Sequence, residues 1–336
     1  MAKMICLFSH KSGVGKTTAA FHLGWMLTEK GKRVLLVDAD SQCNLTSIVF
    51  GDDFEQFYID NPKKDIKQYL SAAFEGSPML ISPAEVYPVQ ENQNLGIIPG
   101  SFELSEYEVS LAVSFTLSDA MRGLKNLPGS FRYFIDKTAE KYFADYVIVD
   151  MNPSLSAINQ TLLVSSDFFI VPAAPDNFSE MAIRSLSKIL PRWEKWAKRA
   201  RKAFEDAIYP LPHNTPKFLG TIIQRFNVRN GKPTKANNQL IDSIAEIVQK
   251  TFIPNLKLSG MLLENDNYVS EDFCLAQIPD FQTLNAKYQT YGIPVFALSD
   301  GQLDAQGKLL ENYKDMRDRF YDIFSGLADK VIQMTT

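Results

Sequence analysis

Residues 8–20 read FSHKSGVGKTTAA, and this stretch decides the class of the fold. A continuous apolar run, MICLFS over 4–9, leads into it. Continuity rather than alternation is what a parallel strand covered on both faces shows. KTTAAFHLGWMLTEKG leads out of it, with Ala20, Leu23 and Leu27 at helical spacing and a stop at Gly31. Between strand and helix lie Gly13, Gly15, Lys16 and Thr17. In that context glycines let backbone N–H groups converge on phosphate oxygens, and the helix N-terminus adds partial positive charge. Lys16 would reach the outer phosphates and the Thr17 hydroxyl would ligate Mg²⁺. Such a loop needs only Lys16; Lys11, five positions earlier, exceeds that requirement.

RVLLVDAD (33–40) reads as a second buried strand and completes a βαβ unit. The pattern recurs in ADYVIVDM (144–151), DFFIVPAA (167–174) and KFLGTIIQRF (217–226), with helical sequence between. Alternation of this kind predicts a doubly wound α/β domain with a mostly parallel sheet flanked by helices. One domain is expected over 1–336, with helical insertions around 51–92 and 191–215 and a C-terminal helix around 306–334. Asp38 and Asp40, at period two, would point to the same side of their strand. Asp150 stands at the C-terminal end of its strand, the end at which α/β sheets bind ligands.

The bulk numbers narrow the classes further. Over 336 residues, 45% are hydrophobic and 22% charged, which excludes global disorder and a fibrous chain. A formal charge of −4 leaves no overall basic field, so any nucleic-acid contact must come from a local patch. Cys6, Cys43 and Cys274 are odd in number and far apart, which fits a reducing compartment rather than a disulfide framework. No apolar run approaches a membrane span or a signal peptide, so a cytoplasmic protein is expected.

Arg192, Lys195, Arg199 and Lys202 recur near helical spacing beside an apolar stripe of Trp193, Trp196, Ala200, Phe204 and Ala207. Two readings stand: a packed surface helix with solvated charges, or a contact to a phosphate backbone. Arg225, Arg229, Lys232 and Lys235 offer a second, looped cluster. The tail LLENYKDMRDRFYDIFSGLADKVIQMTT is amphipathic, with Met316, Phe320, Ile323, Phe324 and Leu327 on one side. Its basic residues alternate with Asp315, Asp318, Asp322 and Asp329, which anionic lipid would repel, so a helix packed on the sheet is expected.

Lys11-Ser12-Gly13-Val14-Gly15-Lys16-Thr17-Thr18 resembles the deviant Walker A loop, KGGVGKTT, of the ParA/MinD ATPases, with Ser12 in place of a glycine. VDADSQCNLT is similar to that family's VDxDPQxNxT, and residues 144–179 to its DYIIIDTPPSLG segment and the strand that follows. The resemblance implies a P-loop ATPase using ATP and Mg²⁺. Lys11 would reach across a sandwich dimer to the other subunit's phosphates. Asp38 would hold the Mg²⁺ water shell, Asp40 would orient or polarise the attacking water, and Asp150 would take the Walker B position. Met151-Asn152 replaces the family's Thr-Pro, and Asp176 stands where the family often has glutamate near the dimer interface. LGIIPGSFELSEYE (95–108), the strand around 217–226 and residues 276–298 also fit the family, making Gln224, Arg225, Pro279 and Asp280 adenine-side candidates. Members of the ParA type bind DNA nonspecifically as ATP dimers and answer to an activating partner protein; those of the MinD type grip the membrane. The resemblance therefore implies slow, partner-stimulated hydrolysis serving DNA segregation or intracellular positioning, with a MinD-like or protein-only switch as the alternative. A metabolic amidoligase or reductase of the same superfamily is weaker, because Cys43 and Cys274 lie in no cluster motif.

Overall fold

The computed structural model describes residues 1–77, 79–90, 92–117, 122–229, 232–264, 268 and 272–336. The strands are β1 (Lys3–Leu7), β2 (Val34–Ala39), β3 (Tyr87–Val89), β4 (Asn92–Ile98), β5 (Tyr146–Met151), β6 (Phe168–Ala173), β7 (Lys217–Phe226), a small hairpin β8 (Val228–Arg229) and β9 (Lys232–Pro233), and β10 (Cys274–Pro279). Eight of them form one sheet in the order β10-β7-β6-β1-β5-β2-β4-β3. Every pairing in it is parallel except β3 on β4, which adds an antiparallel edge. The predicted doubly wound sheet is the observed one.

Strand periodicity divides the core in two. Met4, Cys6, Leu35, Val37, Val147 and Val149 face one way, and Ile5, Leu7, Val34, Leu36 and Ile148 the other. The first face is covered by α4 (Ile66–Phe74), α5 (Tyr107–Leu117), α6 (Leu127–Tyr142), α7 (Ala157–Ser165), α8 (Asn177–Ala203), α9 (Lys235–Ile247) and α10 (Ile253–Leu258). The second is covered by α1 (Lys16–Glu29), α2 (Asn44–Phe50), α11 (Leu284–Tyr291), α12 (Asp300–Leu303) and α13 (Gly307–Thr335). With both faces of each central strand buried, the near-continuous apolar runs of the sequence are explained.

Two expected insertions take different forms. Residues 51–92 supply α3 (Phe54–Asp60), α4 and the edge strand β3, so this segment extends the sheet as well as adding helices. The stretch from residue 191 is no insertion as far as Ala203; it is the second half of the 27-residue α8, with Pro191 inside it. Proline ordinarily argues for a break because it removes a helical donor and crowds the preceding turn. Here Leu186, Leu190, Trp193, Ala197 and Ala200 keep one buried stripe running through it, and packing overrides the local signal.

The tail packs as α13, with Phe320, Phe324, Leu327, Val331 and Met334 buried. Lys30 Nζ pairs with Asp329 at 2.8 Å, and Lys330 Nζ donates to the Leu275 carbonyl at 2.7 Å, tying the helix to α1 and β10. No helix among the described residues is long and apolar enough to cross a membrane.

Candidate nucleotide-binding site

The loop after β1 closes on Gly15, which caps α1 with φ 84°, and Gly13 has φ 71°. Both lie in the left-handed region where a side chain is costly. A Cβ on Gly15 would also sit 2.9 Å from the Gln224 amide. Ser12 is not among the residues with positive φ, so serine replaces the family glycine without that strain. No side chain caps the N-terminus of α1, leaving its first N–H groups facing the loop cavity.

The two lysines have separate environments. Lys16 is buried, its Nζ 3.5 Å from the Lys11 carbonyl. Burial lowers its pKa, Asp150 and Asp40 oppose that, and Lys11 adds to it. The Lys11 ammonium turns away, onto Asp176 Oδ2 at 3.0 Å, with the Ser12 carbonyl at 3.5 Å.

Register places the carboxylates. Asp150 of β5 lies opposite Asp38 of β2 and Leu7 of β1, so two acids meet beside the start of the loop. Asp38 is fully engaged: Oδ1 accepts from Asp40 N at 3.2 Å, and Oδ2 from Thr46 N at 2.8 Å and Thr46 Oγ1 at 2.6 Å. Burial nonetheless pushes its pKa up to about 6. In this arrangement Asp38 fixes the turn that carries Asp40, whose Oδ1 accepts from Gln42 N at 3.0 Å. Both oxygens of Asp150 are buried without a hydrogen-bond partner. Burial, then the Asp38 charge, push its pKa up to about 8, against the pull of Thr17 and Lys16. Two unsatisfied carboxylate oxygens in a buried site are costly. They fit a hard cation completed by Thr17 and by oxygens from a bound phosphate. Among the described residues no group of three or more acidic, His or Cys side chains comes together.

Gln224 Nε2 donates to the carbonyls of Val14 and Gly15, both at 3.1 Å, and Arg225 Nη1 to that of Gly13 at 2.8 Å. Both residues brace the loop as well as lining a cavity of about 160 Å³ with Thr18, Pro279, Asp280 and Tyr288. That cavity adjoins one of about 420 Å³ formed by the loop, Thr17, Asp40 and Pro153, and Thr18, Arg225, Tyr288 and Gln289 belong to both. The two spaces, one lined by the glycine-lysine loop, thus form one cleft at the C-terminal end of the strands. A larger cavity of about 780 Å³, lined by Lys3, Lys32, Glu140 and Tyr146, lies at the opposite end.

Sequence reasoning missed Tyr288, Asn285 and Gln289. They lie on α11, inside the 276–298 stretch already recognised, with Asn285 and Gln289 four residues apart, and that spacing was the available signal. Tyr288 OH lies 3.2 Å from Thr18 Oγ1. Gln42, Asn44 and Ser47, in the family-like VDxDPQxNxT segment and just beyond it, also line the phosphate side. Asn152, the departure from the family, is held with its loop by Asn159, whose Nδ2 donates to Asn152 O, Asn152 Oδ1 and Ser154 O at 2.7–2.9 Å.

The candidate DNA residues separate. Arg225 donates to the Gly13 carbonyl and lines the cleft, so, although exposed like Arg229, Lys232 and Lys235, it does not belong with them. Arg192, Lys195, Arg199 and Lys202 are exposed along α8, and Arg184 and Lys188 continue the same row toward its N-terminus. Arg201, in the same basic run, is buried against Glu194.

The family described as "AAA domain" matches residues 2–205. The chain belongs to this family, as a ParA/MinD-type P-loop ATPase. The ATPase is similar to the sporulation initiation inhibitor protein Soj of Bacillus subtilis, 31% identical over 193 residues that cover 56% of this chain and 64% of Soj. It is similar to a ParA family protein of Chlamydia pneumoniae, 28% identical over 270 residues covering 80% of this chain and 86% of the relative. Two solved structures share the fold of the ATPase. Apo McdA of Cyanothece gives a TM-score of 0.61 at 19% identity, covering 97% of this chain and 99% of McdA. A plasmid partition protein of Borrelia burgdorferi bound to AMPPNP, whose assignment is provisional, gives 0.56 at 20% identity, covering 96% and 99%.

Proposed function

We propose that the chain is a Mg²⁺-dependent ATPase switch of the ParA type, in which ATP holds two copies face to face and hydrolysis separates them. The observation that carries this reading is the separation of the two lysines: Lys16 is buried within its own loop, while Lys11 lies at the rim with its ammonium outside that loop. Phe102, Leu155, Phe178 and Met181 are exposed. They follow β4, β5 and β6, so they line the same C-terminal rim of the sheet. A row of exposed large apolar groups around the cleft fits a surface that a second copy covers.

In this reading the N–H groups of residues 13–18 and the Lys16 ammonium bind the phosphates of the chain's own nucleotide. Thr17 and Asp150 hold Mg²⁺, with Asp38 behind them fixing Asp40. Asp40 orients the attacking water. Bound Mg²⁺ supplies charge neutralisation on the phosphate oxygens. Gln224, Arg225, Pro279 and Asp280 enclose the base, and Lys11 is left for the phosphates of the other copy. Turnover is slow until a partner protein stimulates it. The basic row on α8 carries nonspecific contacts to duplex DNA, which dimerisation doubles. Three separated free thiols support a reducing, cytoplasmic setting.

Sedimentation velocity with Mg²⁺ and ATP tests the switch. Wild type and Asp40→Ala should associate, the variant more persistently; Lys11→Ala should bind ATP yet stay monomeric; Lys16→Ala should lose both. A wild-type chain that binds ATP and remains monomeric overturns the reading. Filter retention of nonspecific duplex over a salt series tests the DNA contact, which fails if ATP gives no retention at low salt.

A further inference from the structure

We infer that Asp176 positions Lys11 in a closed, intramolecular pair that competes with the second copy's nucleotide for the same ammonium, so that Asp176 sets how readily two ATP-bound copies associate. The inference rests on the sandwich proposed above.

The carboxylate is held ready for this role. Asp176 caps α8, and its Oδ1 accepts from Ser179 N at 2.8 Å. Its Oδ2 is thereby left pointing at Lys11 Nζ, 3.0 Å away. The cap fixes one oxygen in the helix frame, so the other is a preorganised acceptor rather than a drifting surface charge. The contact sits at the rim, two residues before the exposed Phe178 and five before the exposed Met181. Any copy packing on that rim therefore meets Lys11 while it is still paired in its own chain.

Asp176 Oδ2 at 3.0 Å and the Ser12 carbonyl at 3.5 Å hold the ammonium against its own chain, so to extend to a phosphate in another chain it must let go of them, and in this inference association requires the pair to open. The side chains are 20% and 38% exposed. An ion pair so accessible is weak, favouring the closed form by about twofold and leaving about a third of the chains open. That is a threshold rather than a block: the apparent affinity falls by the fraction of chains that are open. A symmetric sandwich opens two pairs, so the factor enters squared, and about threefold per chain becomes about tenfold on the dimer dissociation constant.

The test separates charge from cap. Asp176→Asn keeps a side chain that caps as well as aspartate and removes the charge that holds Lys11. The dimer dissociation constant is measured by sedimentation at saturating ATP and Mg²⁺ in an Asp40→Ala background, with monomer nucleotide affinity measured alongside. Asp176→Asn should tighten the dimer about tenfold and leave monomer affinity for ATP unchanged. Asp176→Ser, a second cap-competent residue, should give the same shift, and Lys11→Ala with Asp176→Asn should not associate. An unchanged or weaker dimer in both Asp176 variants, with Lys11→Ala still monomeric, overturns the inference and leaves the sandwich standing. Association of Lys11→Ala at wild-type strength overturns the sandwich itself.

Discussion

Each residue of the phosphate loop is legible in KSGVGKTT, but what holds the loop is not. Gln224 and Arg225 lie some two hundred positions away, and only the β7 fold-back sets their side chains on the loop carbonyls. Gly15→Ala exposes the difference between the two constraints on that glycine. The new Cβ meets the Gln224 amide at 2.9 Å and must also adopt φ 84°. Gly15→Ala should therefore abolish nucleotide binding by calorimetry. Adding Gln224→Ala should recover only part of it, because about 1–2 kcal/mol of left-handed strain persists. Asp150 yields a second prediction at this scale. Its native pKa is raised from 3.8 to about 8, mainly by burial, among Asp38, Asp40, Lys16 and Thr17. The native state thus holds that proton more tightly than the unfolded chain. Its stabilising contribution is full below the ordinary carboxyl range and is lost as pH rises to about 8. Asp38, raised to about 6, adds to the lower part of that window. Asp150→Asn should flatten the pH dependence of ligand-free stability in urea. At pH 8 it should be more stable than wild type by about 1–3 kcal/mol and should gain little from Mg²⁺ with nucleotide.

At the scale of elements, strands were the readable part: each central run is continuous because both faces are buried, and KFLGTIIQRF coincides with β7 from Lys217 to Phe226. Helix α8 was harder, because Pro191 argued for a break and the run KRARK sets solvated and buried cations side by side. The helical period separates them. Arg199 is exposed, while Arg201 turns inward, where Nη1 and Nη2 meet Glu194 at 2.8 and 3.2 Å and Nε donates to the Pro212 carbonyl at 2.7 Å. Glu194 is fully buried and also accepts from Thr215 Oγ1 at 2.8 Å. Arg201→Met would strand that carboxylate, at a cost of about 3–5 kcal/mol in urea denaturation. Arg199→Ala should change stability by less than about 0.5 kcal/mol yet weaken retention of nonspecific duplex and reduce its salt slope by about one. Opposite results for the two neighbours, stability unaffected at Arg201 and duplex retention unaffected at Arg199, would refute the division of α8 into structural and contacting faces.

Across the whole molecule, the last helix is joined to the first loop. His22 of α1 accepts from Val295 N at Nε2, 3.1 Å, so its proton sits on Nδ1, which donates to the Thr18 carbonyl at 2.8 Å. Complete burial lowers its pKa to about 3 and keeps the ring neutral. The ring stacks on Phe324 of α13 with centroids 4.9 Å apart. Nothing in the sequence near His22 or near Phe324 announces the other, because their contact exists only after the sheet brings α1 and α13 onto one face. The amphipathic tail, whose alternating aspartates in the sequence already argued for packing on the sheet, does place its apolar side in this core. Phe324→Ala should therefore cost about 3–5 kcal/mol and loosen the wall formed by Tyr288 and Phe281, which also pack around His22. ATP affinity should fall with it, although Phe324 lines neither the base nor the phosphate cavity. Lys330→Glu would break only the tie to the Leu275 carbonyl and should leave ATP affinity nearly intact. Wild type should not sediment with anionic vesicles in either nucleotide state, since the residues that would enter the bilayer are those that hold α13 against the sheet. ATP-dependent recovery of the chain in the vesicle pellet would mean that α13 leaves the core, and Phe324→Ala, which weakens its hold, would then increase that recovery rather than merely lower stability.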